Sequence, residues 1–125
     1  MASVGRNAVI EREVRLGIEV KIGNFARIGR GSTIGNNVVI KDGVILAEGT
    51  VLGDNVFIGP NACTLREQEF GKGGPTIGRN VFIGAGSMVL GDIADNITVG
   101  ALSFVKDSIE EPGVYVGCPV RKVEK

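Results

Sequence analysis

From Val4 onward the chain sets an aliphatic residue at every sixth position: Val4, Ile10, Leu16, Ile22, Ile28, Ile34, Ile40, Leu46, Leu52 and Ile58. Six is neither the helical period nor the alternation of a plain strand. Val, Ile and Leu make up 36 of the 125 residues, so ten consecutive hits in one fixed frame would arise by chance with a probability of roughly a few in a million. Two further columns keep the same step. The next position is glycine at Gly5, Gly17, Gly23, Gly29, Gly35, Gly53 and Gly59. The fourth is small or β-branched: Ala8, Val14, Val20, Ala26, Ser32, Val38, Val44, Thr50, Val56 and Ala62. Between these columns fall Arg30-Gly31, Asn36-Asn37, Asp42-Gly43, Glu48-Gly49 and Asp54-Asn55, rich in the residues that tolerate positive φ at a sharp corner.

Each hexapeptide therefore predicts one short strand and one corner. In Val38-Val39-Ile40 the first and third side chains point inward and Val39 points outward. Strands of successive coils pair in parallel about 4.8 Å apart, and stacking supplies the core that a lone coil lacks. The period alone leaves the number of sides and the hand open. Along the outward position, Arg15, Lys21, Arg27 and Thr33 form a charged collar, and Val39, Ile45, Val51, Phe57 and Cys63 an apolar belt. Outward apolar residues on consecutive sides predict an interface.

The repeat breaks twice, and breaks in a solenoid are where function tends to sit. From Ile58 to Ile77 is nineteen residues, not a multiple of six, so residues about 65–75 are expected to protrude as a loop carrying Arg66, Glu67, Glu69 and Lys72, with Phe70 as an anchor. From Ile83 to Val99 is sixteen, so one side loses two residues, with Ile93 closing one hexapeptide and opening the next and Asp95-Asn96 making the corner.

Composition removes alternatives. Fourteen basic and fourteen acidic residues cancel, which gives no field for nucleic acid or a membrane surface. No apolar run is long enough to span a bilayer, and the first residues lack a signal-peptide stretch, so a cytoplasmic protein is expected. Cys63 and Cys118 lie far apart without CxxC spacing, which argues against a disulfide framework or a cysteine metal site. Histidine is absent. That excludes most hydrolase triads, zinc sites with His ligands and imidazole bases, and with them a γ-class carbonic anhydrase. An antifreeze solenoid would need ranks of threonine on one flat face, which the sequence lacks.

The pattern [LIV]-G-x-x-[STAV]-x resembles that of the hexapeptide-repeat acyltransferases over nearly the whole chain. The resemblance implies an all-β fold: a single-stranded left-handed parallel β-helix of about six triangular coils with one protruding loop. Residues 1–125 form one domain, with a loop at about 65–75 and a C-terminal tail at about 108–125. It also implies a homotrimer with sites between subunits. The family's finish of the type "GAxSxVxKD … PxG … VGxPxRxV" is matched by Gly100–Asp107, Pro112-Gly113 and, in full, Val116–Val123, with one residue missing between Val105 and Lys106. Such enzymes bind acetyl-coenzyme A here. By resemblance, backbone around Ala85 and Ala101 would meet the pantetheine arm, and Lys106, Arg121 and Lys122 would reach the phosphates, where a planar Arg fork suits the geometry. No metal is expected.

The implied activity is transfer of an acyl group, acetyl in most relatives, to a hydroxyl or amine of a small acceptor such as a sugar, amino sugar or sugar nucleotide. Serine and many sugar O-acetyltransferases of the family use a histidine base in a segment like "RHPTIG". This chain reads Gly73-Gly74-Pro75-Thr76-Ile77-Gly78, with Gly74 at the histidine's place. Three readings stay open. An amine acceptor, nucleophilic as the free base, dispenses with the histidine. A carboxylate takes its role, with Glu67, Glu69 and Asp92 as candidates. Or the chain is an inactive trimeric scaffold or binding protein.

Overall fold

The structure, a computed structural model, describes residues 2–65 and 73–124. The expected loop residues Arg66, Glu67, Glu69, Phe70 and Lys72 lie outside the described residues. The chain winds as a left-handed parallel β-helix of about six coils with three flat faces. The first face stacks Ser3–Val4, Lys21–Ile22, Val39–Ile40, Phe57–Ile58, Phe82–Ile83, Ile97–Val99 and Gly113–Gly117. The second stacks Val9–Ile10, Arg27–Ile28, Ile45–Leu46, Cys63–Thr64, Met88–Val89 and Phe104–Val105. The third stacks Arg15–Leu16, Thr33–Ile34, Val51–Leu52 and Thr76–Ile77, and continues through single bridges to Ile93 and Ile109.

The register answers what the period left open. Ser3 pairs with Lys21 and Val9 with Arg27, eighteen residues on, so three hexapeptides close one coil. The inward column is the core: Ile22, Ile28, Ile34, Ile40, Leu46, Leu52 and Ile58 are all buried, and Val20, Val38, Val44 and Val56 fill the corners behind them. Every sixth residue from 7 to 61 turns the chain with a positive φ: Asn7, Glu13, Glu19, Phe25, Gly31, Asn37, Gly43, Gly49, Asn55 and Asn61. Corner side chains also tie coils together. Asp42 Oδ1 accepts the Asn24 N–H at 2.7 Å, and Asp54 Oδ1 that of Asn36 at 2.8 Å, which satisfies backbone donors the strands cannot reach.

The outward column falls as expected. Lys21 and Arg27 are exposed, and Arg27 pairs with Glu11 at 3.0 Å. Below them the rings of Phe57 and Phe82 stack at 4.8 Å on the first face, and Ile45 and Met88 project from the second. Both register breaks are found. Phe57 pairs with Phe82 and Cys63 with Met88, twenty-five residues on, so seven extra residues enter between Thr64 and Thr76. Phe82 then pairs with Thr98 and Met88 with Phe104, sixteen on. At the end, Val120–Lys122 folds back antiparallel on Gly113–Gly117.

Candidate functional site

The edge between the second and third faces carries the candidate site. Upper coils cross it in six residues. Below the loop, Val89 to Ile93 and Val105 to Ile109 each cross it in four. Neither short crossing contains a positive-φ residue, since the residues that would turn the corner are missing. The shortened wall leaves a recess of about 420 Å³ between Gly73-Gly74, Gly91-Asp92, Lys106 and Ser108. A second hollow of about 420 Å³ lies beside Thr76, Asp92, Asp95 and Glu110, and a third of about 350 Å³ beside Lys106, Glu111, Tyr115 and Pro119. All three meet at Ser108.

The upper wall of the recess is a close backbone contact. The Gly74 N–H donates to Glu48 O at 2.6 Å, and Gly73 lies against Gly49. A Cβ on Gly74 would collide with Thr50 Oγ1 and come within 3.3 Å of Ala47 Cβ. Thr50 is fully buried and cannot give way freely, because its hydroxyl donates to Ala47 O at 2.7 Å. With that proton committed, the 2.8 Å bond between Thr50 and Thr64 is donated by Thr64, whose oxygen also accepts the Ala47 N–H at 3.0 Å. A buried hydroxyl pair thus fills the space that a side chain at position 74 would need.

The lower wall is acidic. Asp92 is held at the rim, where Oδ1 accepts the Thr76 N–H at 2.8 Å and its carbonyl accepts the Ile109 N–H at 2.8 Å. Asp92, Asp95, Asp107, Glu110 and Glu111 line the three hollows against one cation among the described residues, Lys106. Such a surface favours a cationic group over an anion. Among the described residues no cluster of His, Cys, Asp or Glu could hold a metal. Cys63 projects from the second face, and burial pushes its thiol pKa up.

The residues expected to hold a cofactor occupy two places. Ala85 and Ala101 lie on the edge between the first and second faces, Ala101 directly under the Gly84 backbone. Gly100 abuts Val116, and Arg121 pairs opposite Val116, so Ala85, Ala101 and Arg121 follow one strip down the prism. Lys106 sits on the next edge with Asp92, inside the recess. Lys122 turns to Glu111 at 3.3 Å. Of the carboxylate candidates, Asp92 is at the recess and Glu67 and Glu69 are outside the described residues. Asp107, Ser108 and Glu110 were not anticipated. The signal was present as the four-residue step from Val105 to Ile109, a repeat of the step from Val89 to Ile93.

Comparison with known proteins bears on this geometry. The family profile described as bacterial transferase hexapeptide (six repeats) matches residues 2–42 and 31–65, together just over half of the chain. The profile of the hexapeptide repeat of succinyl-transferase matches 76–105. No curated protein matches the sequence. Among solved structures, the chain is similar to the acetyltransferase domain of PglB from Neisseria gonorrhoeae FA1090 in complex with acetyl coenzyme A, with TM-score 0.85, 18% identity, and coverage of 94% of this chain and 55% of that one. It is similar to WeeI from Acinetobacter baumannii AYE, with TM-score 0.82, 22% identity, and coverage of 98% and 58%. A third is the D94A mutant of AntD, an N-acyltransferase from Bacillus cereus, in complex with dTDP and coenzyme A, with TM-score 0.68, 23% identity, and coverage of 98% and 82%. The chain thus spans little more than half the length of the solved PglB domain and of WeeI. At these identities the likeness is one of fold.

Proposed function

Since the chain belongs to the bacterial hexapeptide transferase family, we propose that it transfers an acyl group from coenzyme A to the amine of a sugar-type acceptor such as an amino sugar nucleotide. Solved proteins of this fold include complexes with acetyl coenzyme A and, for an N-acyltransferase, with coenzyme A and dTDP. The observation that carries the amine half is Gly74. The chain has no histidine, and the buried Thr50 hydroxyl denies position 74 the room for any side chain. A hydroxyl acceptor needs a base to become nucleophilic, whereas an amine attacks in its neutral form.

In this reading the acidic recess of one copy draws in the protonated amine, Asp92 receives its proton, and the strip of Ala85, Ala101 and Arg121 of a neighbouring copy in the proposed trimer brings the thioester to it. The neutral nitrogen attacks the thioester carbonyl. The N–C bond forms, the C–S bond breaks, and the coenzyme leaves as a thiol with a proton from the attacking nitrogen. Ala85, Ala101 and Arg121 offer small side chains and a guanidinium for the pantetheine arm and phosphates of the donor. Acetyl is the proposed acyl group. The apolar outer columns are proposed to face neighbouring copies in a homotrimer, and the cytoplasm is the proposed location.

Thiol release from acetyl-coenzyme A, measured with matched amino and hydroxy sugar nucleotides, tests the reading. Turnover is expected with the amine only, lost in Asp92→Asn. Turnover with the hydroxyl partner alone, or with neither over a broad acceptor panel, favours the O-acyl or the scaffold alternative.

A further inference from the structure

Corners of successive coils are tied together in two ways. On the edge between the third and first faces the tie is outside. Asn36 donates its N–H to Asp54 Oδ1 at 2.8 Å and, lower down, Arg79 donates to Asp95 Oδ1 at 2.7 Å. Behind these bonds the inner corner residues are apolar, Val38 and Val81. The edge between the first and second faces begins alike, with Asn24 donating to Asp42 Oδ1 at 2.7 Å and Ala26 and Val44 inside. Then the outer column becomes Pro60, Ala85 and Ala101, which carry no side-chain acceptor. The inner column changes as well, to Ser87 and Ser103 in the two lower coils, both buried. Here the tie has moved inside. Ser87 Oγ donates to Gly100 O at 2.9 Å and accepts the Ser103 N–H at 3.2 Å, so it clamps both ends of one corner. Ser103 Oγ accepts the Gly117 N–H at 3.2 Å and carries the tie on to the final hairpin.

The exchange of an outer tie for an inner one has a chemical consequence. A trans peptide points its C=O and N–H to opposite sides. Ser87 draws the Gly100 carbonyl inward, so the N–H of the same peptide, that of Ala101, points outward. The Gly84 carbonyl is likewise turned to the Ser87 N–H, at 3.4 Å, which sends the Ala85 N–H outward. Neither N–H has a partner among the described residues. On the other coils an Asn or Asp oxygen fills this place, and here it is left for another oxygen. We propose that Ser87 is a positioning residue for donor binding: it holds the strip from within, so that the Ala85 and Ala101 N–H groups stay open to the amide carbonyls of the pantetheine arm. Two such donors one coil apart, about 4.8 Å, suit an extended arm that carries two amides. The assignment rests on coenzyme A being the acyl donor.

Calorimetric titration of coenzyme A into the full chain tests this. Ser87→Ala is expected to weaken binding roughly 3- to 10-fold, the worth of about one hydrogen bond. The KM for acetyl-coenzyme A should rise in step, while the KM for the amine acceptor stands. Ser32→Ala is the matched control. Ser32 is equally buried and its hydroxyl also donates to a carbonyl one coil below, Ala47 O at 3.2 Å, but on the edge between the second and third faces. Its loss should cost similar stability and leave coenzyme affinity unchanged. Ala101→Asn approaches from outside, because its amide oxygen can take the Ala85 N–H as Asp42 takes that of Asn24. This variant should melt no lower than the wild type, exchange its Ala85 amide more slowly and lose coenzyme binding. Full affinity in Ser87→Ala or in Ala101→Asn, or an equal loss in Ser87→Ala and Ser32→Ala, would overturn the proposal while coenzyme binding by the wild type stands. A wild type that binds no coenzyme A at millimolar concentration would remove the coenzyme reading itself, and the proposal with it.

Discussion

Replacing Gly74 by alanine separates a lost histidine from a site that never had room for one. The new methyl would strike Thr50 Oγ1 and lie 3.3 Å from Ala47 Cβ and from Thr50 Cα. Relief requires Thr50 to turn away from Ala47 O and Thr64, which strands polar groups in a buried place. Overpacking of this kind costs about 1–3 kcal/mol, and each broken hydrogen bond about 0.5–1.5 kcal/mol. Against this, removing glycine's freedom in the unfolded chain returns about 0.4–1 kcal/mol. The net expectation is a loss of about 1–5 kcal/mol, or a fall in Tm of at least roughly 3 °C for a domain of this size. In a Thr50→Ala background the colliding oxygen is gone, so the same substitution should cost at least about 1 kcal/mol less. Denaturant unfolding followed by circular dichroism on the four variants of the cycle measures both numbers. Stabilisation by Gly74→Ala, or a penalty unchanged by Thr50→Ala, would refute the reasoning. Gly74→His should then fail to create transfer to hydroxyl acceptors.

Other expectations follow from single residues. Leu102 turns a corner at φ 59° while 79% exposed. Leu102→Gly should raise stability by up to about 1 kcal/mol, since a left-handed leucine is strained by about 1–2 kcal/mol and glycine gives some of that back in entropy; a fall in Tm would mean that the side chain has a partner. Leu52→Ala, in the buried column, should cost about 2–5 kcal/mol in denaturant unfolding, while Val51→Ala beside it on the outer face should cost far less in the isolated chain. Cys118 is exposed and Cys63 is half-buried with a raised pKa, so iodoacetamide at neutral pH should label Cys118 first, and Cys63 only as pH rises further into the alkaline range. Equal labelling of the two by mass spectrometry would contradict this.

Much of the fold was legible because a solenoid repeats its instructions. The column from Val4 to Ile58 became the core, and the glycines and asparagines between became corners of positive φ at the same step. The ends of the column were less legible: Val4 and Ile10 carry the core pattern yet stay exposed, because burial needs a coil on both sides. The sides of the prism were hidden, since a period of six fits any number of sides, and pairing of Ser3 with Lys21 decides it. The recess was the hardest to read. It is made by omission, where two corners lack residues, and omission leaves no motif. The residue missing between Val105 and Lys106 belongs, with the step from Val89 to Ile93, to one feature stacked on itself. The family resemblance grouped Lys106 with Arg121, and the winding of the prism sets them on different walls.

The central claim is that the prism holds coenzyme A along the strip of Ala85, Ala101 and Arg121. Amide exchange of the full chain with and without coenzyme A maps that contact directly. The account predicts saturable binding, with protection centred on Ala85, Ala101 and the strands Gly113–Gly117 and Val120–Lys122, and weakened by Arg121→Ala. No binding at millimolar coenzyme, or protection confined to the polar third face around Arg15 and Thr33, would contradict it.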